Sequence, residues 1–373
     1  MTSQTVRVEL AGDAAADRSY TIAVGQGVLA EVGPALKAAG CTRAVVIADA
    51  AVAGSHGSRV RSRLESAGIE SLTFTVASGE GSKAASEAVR LWEAFAEAAI
   101  DRKTQIVAVG GGVIGDLAGF VAATYVRGLG VWHVPTTLVA QVDSAIGGKT
   151  GINLPTGKNL VGSFWQPRGV FSDIDTLATL PAREFRSGLA EVVKYGMIRD
   201  AAFFDWLEVH QSAIAAADAE ALHEIILISS RHKAEVVSQD EHETSGLRAI
   251  LNYGHTFAHA FESASGYGQF LHGEAVSLGM AAAARLALIL GRIDAALVER
   301  QDALLAALGL PIDFVAVSRG LKTDDLLAIM RRDKKAVSGK LRFVLPTRLG
   351  HVELVDGIDA TMVAGVLAGQ GSP

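Results

Sequence analysis

Strand-like and helix-like segments alternate through the first half of this chain, and the alternation stops near Leu180. Residues 44–48, 72–76, 106–109 and 131–134 are short apolar runs rich in β-branched side chains. Each is bounded by Gly, Asp, Ser or Pro, the pattern of a buried strand. Between them lie Ala/Leu/Glu/Lys stretches such as 83–99, with apolar residues at helical spacing. Strand–helix–strand order demands right-handed crossovers and so predicts a mostly parallel, Rossmann-like sheet covered by helices. Such sheets take ligands at the carboxyl ends of their strands, near a switch in strand order. From Ala182 onward helical patterns dominate, over 183–198, 220–237, 252–265, 274–290 and 295–308, and only 341–345 reads as a strand. The expectation is an α/β domain over 1–180 and a mainly α-helical domain over 181–373, with the active site in the cleft between them.

Composition excludes several classes. At 373 residues the chain is too long for one core. Its 34 Lys+Arg against 40 Asp+Glu give a net charge of −6, which argues against a nucleic-acid partner. Cys41 is the only cysteine, so no intrachain disulfide can form. Arg7 and Glu9 leave no apolar core for a secretory signal in the first ten residues. Asp116 and Arg285 break the two most apolar stretches before they reach the roughly 18 residues of a membrane span. A cytoplasmic protein is expected.

The 40 glycines cluster, and one cluster sits where chemistry is expected. Residues 106–109 run straight into Gly110-Gly111-Gly112-Val113-Ile114-Gly115-Asp116, and a helical pattern follows from Leu117. Gly110, Gly112 and Gly115 satisfy G-x-G-x-x-G. Glycines at a strand-to-helix turn let the backbone approach a pyrophosphate, and the helix N-terminus offers free N–H groups. Glycine-rich turns also occur only to pack a helix on a sheet, but the position after a strand and before a helix favours phosphate or dinucleotide binding. The loop follows a third or later strand, and no acidic residue ends a strand about 20 positions on, so ribose contacts must come from elsewhere. Asp49, after the first central strand, is a candidate. A second polar loop, Ser78-Gly79-Glu80-Gly81-Ser82-Lys83, also links a strand to a helix, either as a simple N-cap or as a further nucleotide contact.

The helical half carries metal-ligand chemistry. His255 and His259 stand at i, i+4, a ligand spacing, without the following Glu that a zinc protease needs. His272-Gly273-Glu274 opens the next helix, and Glu191 and Lys194 stand at i, i+3, ordinarily a surface pair. Arg127 is placed at the end of the glycine-loop helix. Lys149 and Lys158 fall in a Gly/Asn/Thr-rich stretch, Arg248 lies one turn before Asn252, and Lys334-Lys335 follow Asp333. Cations concentrated in this way on an acidic chain suggest a small polyanionic substrate.

A longer series of motifs makes the chain resemble a known family. The series begins with Gly110-Gly111-Gly112-Val113-Ile114-Gly115-Asp116-Leu117-Ala118-Gly119-Phe120, Pro135-Thr136-Thr137-Leu138 and Asp143-Ser144. It continues with Gly147-Gly148-Lys149-Thr150-Gly151-Ile152-Asn153 and Gly157-Lys158-Asn159-Leu160-Val161-Gly162. Glu191-Val192-Val193-Lys194-Tyr195-Gly196, residues 248–259 and His272-Gly273-Glu274 complete it. Over nearly its whole length the chain resembles the 3-dehydroquinate synthases of the sugar-phosphate cyclase group. The resemblance implies a carbon–oxygen lyase of the shikimate route. It would close a seven-carbon keto-acid sugar phosphate (DAHP) into 3-dehydroquinate with loss of phosphate, using NAD and a divalent metal, zinc or cobalt. Oxidation of one hydroxyl acidifies the neighbouring C–H, phosphate leaves, the hydride returns, and the opened ring recloses by an intramolecular aldol step. Rival readings are another cyclase of the group or a metal-dependent alcohol dehydrogenase.

Carried over by motif, the resemblance implies Glu191, His255 and His272 as metal ligands, with His259 facing the substrate instead of pairing with His255. NAD contacts would fall on Asp49, on the loop from Ser78 to Lys83, on Gly111, Gly112, Val113, Ile114, Gly115 and Asp116, and on Thr136, Thr137, Lys149 and Lys158. Thr176, Leu177, Ala178 and Thr179 would complete them. Substrate contacts would be Asp143, Lys149, Asn159, Lys194, Lys233, Arg248, Asn252, His259 and one of Lys334 or Lys335. Arg127 resembles a residue that reaches into a neighbouring subunit's site, which implies a homodimer. Ala51 departs from the pattern, where a polar residue is often found.

Overall fold

The computed structural model describes residues 3–10, 17–266, 268–332 and 341–370. The chain forms two compact units, Met1–Pro181 with His223–His242, and Ala182–Leu222 with Glu243–Pro373. Residues 223–242, expected in the helical half, belong to the first unit.

In the first unit, β1 (Gln4–Val8), β2 (Tyr20–Gly25), β3 (Arg43–Asp49), β4 (Glu70–Val76), β5 (Gln105–Gly110), β6 (Gly130–Pro135) and β9 (Gly169–Asp173) make one sheet in the order β1-β2-β9-β6-β5-β3-β4. Every neighbouring pair is parallel except β1 with β2. All four strands expected in this half are present. The alternation of side chains along a strand explains the two layers around the sheet. Val45 and Ile47 point to one face with Ile106, Ala108 and Val131, under Leu91 and Phe95 of the helix Ala85–Glu97 and Leu117 and Val121 of the helix Gly112–Thr124. Ala44, Val46 and Ala48 point to the other face, with Val107, Val109 and Val134, under the helices Val32–Ala38 and Ser58–Ser66. The Gly/Asn/Thr-rich stretch is an antiparallel hairpin of β7 (Lys149–Leu154) and β8 (Gly157–Phe164).

After β3 the chain moves to β4 at the sheet edge, whereas β5 returns to the other side of β3. The loops leaving β3 and β5 therefore diverge, which opens a crevice at their carboxyl ends. Asp49 ends β3 and Gly110 ends β5, so both sequence candidates lie at the switch point.

The second unit is built on the helices Ala182–Arg199, His255–Ala264 and His272–Ile289, with further helices and one hairpin, β10 (Leu341–Arg348) and β11 (His351–Ile358). Among the described residues no helix is long and apolar enough to cross a membrane.

Candidate active site

Residues of the first unit converge around the two loops at the switch point. Asp49 accepts from the backbone N–H of Ala51 at 2.9 Å and from the Ser78 hydroxyl, which ties the polar loop to the end of β3. The next turn of that loop ends on Lys83, which is only 4% exposed; its ammonium donates to both Asp116 and Asn159. Burial pushes the Asp116 carboxyl up, and the Lys83 cation works against that rise. Asn153 donates to Glu80 at 2.6 Å and accepts from the Asn159 N–H at 2.8 Å, so the β7–β8 hairpin is stapled to the polar loop.

The start of the glycine loop is packed closely against its neighbours. A Cβ on Gly110 would meet Ile114 at 2.7 Å and Asp49 at 3.2 Å, and one on Gly112 would meet the Ser144 hydroxyl at 2.8 Å. Gly115, the third glycine of the fingerprint, has only ordinary contact distance to His133, 3.6 Å. The close approach comes one turn later, at Gly119, where a Cβ would lie 2.3 Å from Thr150 beside Lys149 on β7. Thr136 is buried and its N–H donates to the Gly110 carbonyl at 2.9 Å. Asp143 accepts from the Lys233 ammonium at 2.7 Å. In the Ile174–Thr179 turn, Thr176 is fully buried and Thr179 meets the His56 ring at 2.8 Å.

In the second unit three donor atoms converge. The ligand atoms of Glu191, His255 and His272 all lie within 4.8 Å of one another. Glu191 Oε1 is 3.2 Å from His272 Nε2 and 3.6 Å from His255 Nε2. Ligands about 2.1 Å from a tetrahedral ion stand about 3.4 Å apart, so this spacing fits a metal. His255 Nδ1 donates to the Tyr253 carbonyl at 3.1 Å, which leaves Nε2 as the electron-pair donor. Burial and the Lys194 cation hold His255 well below the usual histidine range, so its ring is neutral and ready to ligate. Burial alone would raise Glu191, but the Lys194 ammonium and the two rings hold it well below the usual carboxylate range.

Backbone contacts set this convergence. Gly273 lies so close to the helix Ala182–Arg199 that its N–H donates to the Ser187 hydroxyl at 2.9 Å, and a Cβ would fall 1.7 Å from the Ser187 carbonyl oxygen. Ser187 is one turn before Glu191, so this contact carries His272 to the carboxylate. A Cβ on Gly279 would fall 2.1 Å from the Gly254 carbonyl oxygen, next to His255. Gly254 itself sits at φ +80°, in the left-handed region. Arg183 donates to both Glu274 oxygens, at 2.7 and 2.8 Å, and Glu274 accepts from the Leu271 N–H at 2.9 Å, which caps the helix that begins with His272.

Residues 73–187 match the 3-dehydroquinate synthase N-terminal family and residues 188–336 match the 3-dehydroquinate synthase C-terminal family. The 3-dehydroquinate synthase of Rhodopirellula baltica is 51% identical over 334 residues, covering 89% of this chain and 88% of its own. The chain belongs to the 3-dehydroquinate synthase family. Two solved cyclases are more distant. The 2-epi-5-epi-valiolone synthase of Streptomyces hygroscopicus subsp. jinggangensis, with NAD+ and Zn2+ bound, is 28% identical with a TM-score of 0.84, over 93% of this chain and 95% of its own. A 2-deoxy-scyllo-inosose synthase complexed with carbaglucose-6-phosphate, NAD+ and Co2+ is 28% identical with a TM-score of 0.85, over 98% and 99%.

Within this synthase family member, three expectations from spacing need correction. Glu191 and Lys194 are not a surface pair: they are 0% and 1% exposed and ion-paired, because the helix that carries them is buried on both sides. His259 stands outside the converging triad, its ring centroid 5.7 Å from that of His255. Arg127 does not end the glycine-loop helix, which stops at Thr124. It lies in a separate turn where Val126, Arg127 and Gly128 have φ of 43°, 69° and 128°. Arg248 is buried at 1% exposure, and the Asn252 amide donates to the Ala249 carbonyl at 3.2 Å. Lys149 opens β7 and Lys158 lies on β8. Lys334 and Lys335 lie outside the described residues. Spacing gave no sign of Gly119, Arg183 or Gln141, whose roles appear only through close packing and buried hydrogen bonds.

Proposed function

We propose that the protein is a phosphate-eliminating carbon–oxygen lyase that converts DAHP to 3-dehydroquinate in the shikimate route. The observation that carries this reading is the convergence of His255 and the partly exposed His272 on the buried Glu191 beside Lys194, in a chain of this family. A divalent ion held by those three ligands, zinc or cobalt, would polarise a substrate oxygen as a Lewis acid, and NAD held at the switch-point loops would supply reversible hydride acceptance.

The chain's own residues do the rest. Lys194 keeps Glu191 ionised and presents a desolvated cation at the same place. Lys233, aligned by the Asp143 carboxylate, and Arg248, buried near Asn252, supply charge for the anionic ends of the substrate. A desolvated cation holds an anion far more strongly than an exposed one, which suits a substrate carrying both carboxylate and phosphate. Lys83 fixes Asp116 and Asn159, so the glycine loop and the hairpin bearing Lys149 and Lys158 move as one. Arg127 is exposed, and its guanidinium has no partner among the described residues. We assign it to the site of a second copy in a homodimer.

The test is phosphate release from DAHP by purified protein with zinc or cobalt and substoichiometric NAD, while nicotinamide absorbance is followed. Many phosphates per NAD with no lasting NADH are expected. Steady NADH accumulation from simple alcohols without phosphate release would overturn the reading.

A further inference from the structure

The π-helical segment Ala140–Ser144 directs three side chains at three different neighbours. Asp143 engages Lys233, Ser144 lies under Gly112, and Gln141 turns inward and is fully buried. Gln141 Nε2 lies 3.1 Å from the Pro135 carbonyl oxygen, 3.0 Å from that of Asp173 and 3.1 Å from Thr176 Oγ1. Carbonyls only accept, and the Thr176 hydroxyl already donates to the Asp173 carbonyl at 2.7 Å, so the NH2 end of the amide must face all three. Its two N–H groups join the end of β6 to the end of β9. The segment's main chain is pinned in turn by the Ser230 hydroxyl, which donates to the Gln141 carbonyl at 3.3 Å.

This amide is not explained by packing. Its Oε1 is buried with no hydrogen-bond partner among the described residues, and an apolar side chain of the same length would avoid that desolvation. What the amide does is set a distance. Pro135 leads directly into Thr136 and Thr137, and Asp173 leads into the turn of Thr176 to Thr179. We infer that Gln141 is a positioning residue for the dinucleotide: it fixes the spacing of the two turns that flank the binding crevice without touching NAD. The inference rests on the proposed function, which places NAD on those turns.

The experiment compares wild type with Gln141→Met, which keeps length and volume and removes both donors. NAD is titrated calorimetrically into the zinc-loaded protein, zinc affinity is measured by chelator competition, and steady-state kinetics are run against NAD. The expected result is an NAD Kd and KM raised about tenfold, with zinc affinity and kcat at saturating NAD within about twofold of wild type. Gln141→Asn keeps the amide but draws it back by one methylene, and carries the same test should the methionine variant fail to fold. Unchanged NAD affinity, or a parallel loss of zinc affinity that marks a merely structural role, overturns the inference and leaves the proposed activity standing. Failure of the wild type to bind NAD overturns both.

Discussion

A Cβ on residue 273 would lie 1.7 Å from a carbonyl oxygen, a distance that no rotamer change can relieve. Gly273→Ala must therefore push the start of the His272–Ile289 helix off Ser187 and carry His272 away from Glu191. Overpacking of this kind costs about 1–3 kcal/mol, so both the thermal midpoint and zinc affinity by chelator competition should fall. His272→Ala acts differently, removing one of three ligands without crowding anything. Turnover and bound zinc should be lost while the far-ultraviolet circular dichroism is kept, and full metal content with normal activity would rule out the triad. His133 makes a pH prediction. It is 5% exposed, and burial pushes its pKa down to about 4. The unfolded chain takes up a proton below about 6.5 and the folded chain does not until about 4, so this group's contribution is intact above 6.5 and is lost as pH falls between those values. The loss amounts to about 3 kcal/mol, and His133→Leu should flatten the fall in urea midpoint over that range.

The glycine-loop helix separates two kinds of glycine that the sequence motif cannot tell apart. Gly115 belongs to the fingerprint yet has room for a methyl group, whereas Gly119 lies outside it and has none. Gly115→Ala should therefore keep or raise the thermal midpoint, by up to about 1 kcal/mol of helix propensity. Gly119→Ala should lower it by about 1–3 kcal/mol and raise KM for DAHP, because the Thr150 it displaces is the neighbour of Lys149. Equal effects at the two positions would contradict this packing. Strands β3, β5 and β6 were legible because both of their faces are buried, which leaves an apolar run in the sequence, whereas β9, buried at all five positions, carries Gly169, Ser172 and Asp173, which break such a run. The hairpin was not: Asn159, Leu160, Val161 and Gly162 of β8 are all exposed, so no buried face marks the strand. Edge strand β1, with two buried positions in five, was lost for the same reason. The burial of Glu191 and Lys194 is not legible in the sequence, because i, i+3 spacing says that two residues share a helix face and nothing about what covers that face. The metal triad itself was reached through its resemblance, since ligands from three helices have no common spacing.

At the level of the whole molecule, the turn at 125–128 is where the proposed homodimer can be tested. A β-branched Val126 at φ 43° is strained by about 1–3 kcal/mol, and it is followed at once by Arg127 at φ 69°. Trp165 locks the turn, with its indole N–H donating to the Leu129 carbonyl at 2.8 Å and its ring against Gly128. In the proposed homodimer, Arg127→Ala and His272→Ala are each inactive alone but complement each other when mixed and refolded together. Half of the dimers are then mixed and each regains one site, so activity should recover to about a quarter of wild type. A mixture that stays inactive would place Arg127 in its own chain's site. A different consequence follows from the path of the chain. It passes between the two units three times, at 181/182, 222/223 and 242/243. Lys233, the partner of Asp143, therefore emerges from the ribosome only after the stretch 182–222 of the other unit has been made. The sheet-bearing unit cannot be finished in order of synthesis, and no single cut in the gene yields either unit whole.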